Sequence, residues 1–182
     1  MQEAPRLLLW RLSRARLARR SGLRPLLGDR AAGNLLLAGP RARRLAAAAV
    51  LLPRRPGLHR RAVVHARLQV GGREVLLAGT HLDLDPGARL DSVQRVRRVL
   101  HGAPLVLGAD VNDVPGSAAW SALSAGLVDV GQRLGPTFPA VEPARRIDGL
   151  FVDPALEVLE AAVVPTGPVS DHLALLADLR WR

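Results

Sequence analysis

The residues of this chain that can do chemistry stand in four short motifs, each at the end of an apolar run. They are Gly79-Thr80-His81-Leu82, Gly108-Ala109-Asp110-Val111-Asn112, Arg146-Ile147-Asp148 and Ser170-Asp171-His172. Asp110 and Asn112 alternate after an apolar strand, which would put acid and amide on one face. There an acid can accept a proton from an attacking water, and the amide can hold a phosphoryl oxygen. His172 beside Asp171 reads as a buried imidazole-acid pair. Asp148, at the start of another strand, can accept from that imidazole, fix its tautomer and stabilise its protonated form. The set suits metal-assisted cleavage of a phosphate ester. Taken singly, each motif has a plainer reading. Asp and Asn are turn formers, and His81 alone is a core or edge histidine. Only the combination carries the chemistry.

The elements that must position these residues are legible from periodicity and turn residues. Residues 5–20 read as a helix, with Leu8, Leu9, Leu12 and Leu17 at near-helical spacing, Pro5 in the first turn and Gly22 as the stop. Residues 35–38 form a short strand after Gly33-Asn34. Two β-rich runs, 62–70 and 74–82, flank Gly71-Gly72 as a hairpin. Residues 88–100 read as an amphipathic helix, with Leu90, Val93, Val96, Val99 and Leu100 on its apolar face and arginines opposite. A strand at 104–108 leads into the Asp110 turn, and residues 117–127 form a short helix. Strands follow at 147–152, 156–164 and 173–179. Asp83 and Asp85, before Pro86-Gly87, read as a loop with a solvated acidic face. His59, His65 and His101 carry no chemical reading.

The 182 residues, 48% of them apolar, are enough for one domain with its own core. No apolar run reaches the length of a membrane span; residues 45–52 make only eight. The first residues lack the order of a secretion signal. The default location is the cytoplasm, although an upstream segment could carry a signal or anchor. Cysteine is absent, which excludes disulfides and thiolate metal sites. The net charge of +10 is concentrated: residues 1–61 hold 15 Arg against Glu3 and Asp29, and residues 62–182 hold 11 Arg against 14 acids. A basic surface fits nucleic acid or another polyanion. Because all 26 basic residues are arginine, part of this charge reflects GC-rich coding. Three Trp and two Phe offer little for stacking single-stranded bases.

The order and wording of the four motifs resemble the endonuclease/exonuclease/phosphatase superfamily, the deoxyribonuclease I-like fold, with Ala109 set between glycine and acid. The resemblance covers essentially the whole chain as one domain, 1–182. It implies a four-layer α/β/β/α sandwich and a divalent-metal-dependent phosphoester hydrolase of the endonuclease/exonuclease phosphodiesterase type. It implies catalytic roles for His81, Asp110, Asn112, Asp148 and His172, and substrate contacts from Asn34 and Arg146. Glu3, in Met1-Gln2-Glu3, matches the ligand of a Mg²⁺ or Mn²⁺ ion, with Asp171 beside it. The superfamily's first strand would lie before Met1, so a truncated chain is expected. The expected partner is a phosphate ester, nucleic acid among them, met by a monomer. The alternatives are a lipid or small-molecule phosphoesterase of the same fold, or a non-catalytic remnant that binds through its basic region.

Overall fold

The glycine pair predicted to turn a hairpin does so. Gly71 and Gly72 take φ of 58° and 81°, the left-handed values that a two-residue hairpin turn requires. In this computed structural model, which describes residues 10–29 and 32–182, they join β4 (Ala62–Val70) to β5 (Arg73–His81) in unbroken antiparallel register. Around this hairpin grows a six-stranded sheet in the order β3-β4-β5-β6-β8-β7. The added strands are β3 (Ala42–Leu51), β6 (Leu105–Asp110), β7 (Val128–Asp129) and β8 (Asp148–Val152). β5 and β6 run parallel, linked by the crossover helix α2 (Pro86–Val99); β8 returns antiparallel to β6.

One face of the sheet carries α2 and α3 (Ala118–Ser124). Val93, Val96, Leu105, Leu107, Trp120, Leu123 and Phe151 fill the space between them, and Trp120 meets Phe151 edge-on at 5.4 Å. The other face is covered by β1 (Arg24–Gly28) paired with β2 (Leu35–Ala38), through Leu26, Leu36, Val64 and Leu68. A second ribbon pairs β9 (Leu156–Val164) with β10 (Ala174–Trp181). Helix α1 (Trp10–Arg20) lies against β1, and the buried Arg14 donates to the Asp29 carbonyl at 2.8 Å. The layers therefore run helix, β, β, helix, as the motif order implied. No helix of the described residues is long and apolar enough to cross a membrane.

Four local readings change. The run at 45–52 belongs largely to β3, an edge strand; its alanines and arginines alternate too weakly to mark it as one. β1 and the two-residue β7 are likewise too short or irregular to be read. On α2 the buried face holds Ala88, Arg89, Ser92, Val93 and Val96, whereas Leu90 is exposed. Arg89 is buried because each of its guanidinium nitrogens is bonded, two donating to the carbonyls of Asp83 and Leu84 and the third pairing with Asp113. Asp83 is also buried rather than solvated: it lies 3.6 Å from Arg61 and accepts the Asp85 N–H. Asp85 caps α2 by accepting from Ala88 N at 2.7 Å, with Pro86 in the first turn.

Candidate active site

The ladder itself assembles the site. His81 pairs with Asp110 across β5 and β6, and Asp110 pairs with Asp148 across β6 and β8. Three motifs 29 and 38 positions apart thus share one rung, on strands about 5 Å apart. Backbone bonds lock this end: Leu82 N donates to Asp110 O at 2.9 Å, and Val111 N to Ile147 O at 2.8 Å.

His172 arrives from the loop before β10. Its ring Nδ1 donates to Asp148 Oδ2 at 2.8 Å, the dyad expected from sequence. One oxygen each of Asp110 and Asp148 and one nitrogen of His172 lie within 4.8 Å of one another. The bond from Asp148 raises the imidazole's pKa above its ordinary value, against the opposing effect of burial. Asp110 is buried; that burial and the facing Asp148 carboxylate push its pKa up to about 6. Asp110 Oδ1 accepts the Asn112 N–H at 3.0 Å, and Oδ2 lies 3.1 Å from His81 Nε2.

Other expected site residues take different positions. His81 is buried, and its contact with Asp110 lets it orient that acid. Asn112 departs from the extended backbone, with φ of 54°, and one Nδ2 proton goes to Leu82 O at 3.0 Å. The amide carries one further proton beyond this bond. Asn34 has no exposed surface from which to touch a substrate. Its Nδ2 braces Asp29 at 3.0 Å and Ala62 O at 2.9 Å, fixing the start of β2 against β4. Arg146 forms a two-pronged pair with Asp129, both contacts 2.9 Å, and its guanidinium lies 4.6 Å from the Trp120 ring centre. Its charge and fork are therefore committed to the protein. The pair Asp171-His172 looked buried in sequence, but Asp171 is exposed and its carbonyl takes the Ala140 N–H. Glu3 lies outside the described residues.

Three positioning residues had no readable signal. Thr137 is fully buried; its Oγ1 accepts the amides of Ile147 and Asp148, at 3.3 and 3.4 Å, and its carbonyl accepts Leu173 N. It ties both halves of the Asp148–His172 dyad to one loop. Phe138 sets its ring centre 4.8 Å from that of His172. Thr166 Oγ1 donates to the His172 carbonyl at 2.6 Å. A lone Thr or Phe in a loop carries no periodicity, so only the folded loop discloses it.

No protein-family model matches the sequence, and no curated protein matches it. Solved structures do resemble the fold. A Bacteroides vulgatus endonuclease/exonuclease/phosphatase aligns with a TM-score of 0.84 at 19% identity, over 100% of this chain and 84% of that one. A Bacteroides thetaiotaomicron mannosyl-6-phosphatase aligns at 0.80 with 17% identity, over 93% and 82%. D. rerio TDP2, complexed with a single-strand DNA product, aligns at 0.74 with 17% identity, over 98% and 84%. The chain therefore has the fold of the endonuclease/exonuclease/phosphatase superfamily.

Proposed function

We propose that this protein is a divalent-cation-dependent phosphoester hydrolase of the endonuclease/exonuclease type, acting as a monomer on a phosphodiester. The observation that carries this reading is the rung His81–Asp110–Asp148 with His172 bonded to Asp148. Four segments far apart in sequence deliver two acids and a paired imidazole to one rim. Asp110, buried on this rung, is suited to orient the attacking water. His81 holds its second oxygen. His172, kept protonated more readily by Asp148, faces the phosphoryl group as a cation or proton donor. The free amide proton of Asn112 supports a phosphoryl oxygen.

Two facing carboxylates, one buried, are the oxygen donors a hard cation such as Mg²⁺ or Mn²⁺ takes. Asp110 and Asp148 would hold it, with Glu3 as a further candidate. Once bound, such an ion polarises phosphoryl oxygens. The solved relatives named above include a phosphatase and a protein with a DNA product, which supports phosphoester chemistry without choosing a substrate. The test is hydrolysis of bis(p-nitrophenyl) phosphate and of an oligonucleotide, with Mg²⁺ and with chelator. Turnover that needs the ion and disappears in His172→Ala supports the reading. A folded protein that cleaves neither substrate with either ion refutes it.

A further inference from the structure

Arg145 stands next to Arg146 in sequence but in a different environment. Arg146 is neutralised by Asp129. Arg145 is exposed, and among the described residues no carboxylate lies within ion-pair distance of it. Its guanidinium carbon sits 5.5 Å from the centre of the Phe138 ring, and the centre of the same ring lies 4.8 Å from that of the His172 imidazole. The backbones of residues 138 and 145 exchange hydrogen bonds, both 2.9 Å, so cation and ring sit on one closed turn. Ala140 N and Leu173 N tie this turn to the His172 loop, at 2.7 and 2.8 Å. A free guanidinium and the catalytic imidazole thus share one aromatic neighbour.

We propose that Arg145 is a specificity residue that grips the phosphate next to the scissile one on a nucleic-acid strand. This rests on the phosphodiester-hydrolase reading above. A guanidinium stacked on an aromatic face keeps its fork of donors free for the plane of a phosphate and has less motion to lose on binding. A nucleic-acid strand carries a phosphate at every nucleotide, so a cation this close to His172 meets the neighbouring one. A small diester has no second phosphate and gains nothing from it. The exposed acids on the same two loops, Glu142 and Asp171, repel a polyanion. Arg145 is what makes this side of the site acceptable to one.

The experiment compares wild type, Arg145→Gln, Arg145→Lys and Arg97→Gln; Arg97 lies at the far end of α2 and controls for net charge. Kd for a labelled single-stranded oligonucleotide is measured in chelator across a salt series, and kcat and KM are measured for the oligonucleotide and for bis(p-nitrophenyl) phosphate. Arg145→Gln is expected to weaken oligonucleotide binding about tenfold, the lower end for one charge-assisted contact. The slope of log affinity against log salt should fall by roughly one contact, about 0.7 for a single strand. The loss should fall on oligonucleotide KM, with the small diester within twofold and the pH profile unmoved. Arg145→Lys should recover part of the loss, and Arg97→Gln should show none. Equal losses on both substrates, an unchanged salt slope, or an equal effect from Arg97→Gln would overturn the proposal. So would a wild type that does not bind the oligonucleotide. Because binding is read in chelator, an inactive enzyme would count against the hydrolase reading alone.

Discussion

Asp110→Asn should stabilise the cation-free protein by an amount that grows with pH. The fold removes Asp110 from water and sets Asp148 against it, raising its pKa from 3.8 to about 6. That rise corresponds to about 3 kcal/mol of disfavour for the charged form. Between those values the folded state binds a proton that the unfolded state has released, so stability falls as pH rises through this window. Above about 6 the full penalty is present. An asparagine carries no charge to bury and escapes it. At pH 4 the aspartic acid is largely neutral when folded and about half ionised when unfolded, so only about 0.5 kcal/mol of the penalty is present there beside the changed contacts with Asn112 and His81. From pH 4 to about 7 the stability difference should move in favour of the variant by roughly 2.4 kcal/mol, or about 5–10 °C in Tm for a chain of this length. The assay is urea unfolding in chelator at closely spaced pH values. A difference that stays flat across the window would refute the electrostatic account of Asp110, and one that moves the other way would reverse its sign. The same substitution should remove turnover, as expected where an active-site acid is held against its own stability.

Asp148→Asn should lower the rate by about 10⁴, as loss of an orienting acid does in hydrolytic triads; it should also bring the His172 pKa down, read by NMR titration of the ring. Unmoved titration would remove Asp148 as the cause. Arg146→Gln should cost about 3 kcal/mol by leaving Asp129 partly buried without its partner, while turnover per folded molecule is retained; a selective loss of kcat would restore Arg146 to the site. Thr137→Val should cost about 1–3 kcal/mol by stranding the Ile147 and Asp148 amides and should lower kcat; a stable variant of normal rate would dismiss the brace. Chelator should abolish hydrolysis and added Mg²⁺ or Mn²⁺ restore it, measured by release of p-nitrophenol.

The sequence by itself determined the order of elements wherever a local rule had one answer. Two glycines between β-rich runs turn a hairpin, since their left-handed φ values suit few other residues. The stripe of Val93 and Val96 makes α2 a crossover that buries its face. The motif order points to the sandwich, and the places of Asp148 and His172 at strand ends pair the two. The tertiary structure decided everything that depends on where a side chain's partners come from. Asp83 and Arg89 are ordinary surface types by sequence, yet both are buried because Arg61 and Asp113 arrive from elsewhere to neutralise them. Of two adjacent arginines, Asp129 and Trp120 claim Arg146 and leave Arg145 exposed over the Phe138 ring. His81 faces Asp110 because a parallel strand pairing sets them on one rung. Periodicity reports the face an element shows to the core, a local property. Charge pairing and strand register are long-range, and they exist only once the chain has closed on itself.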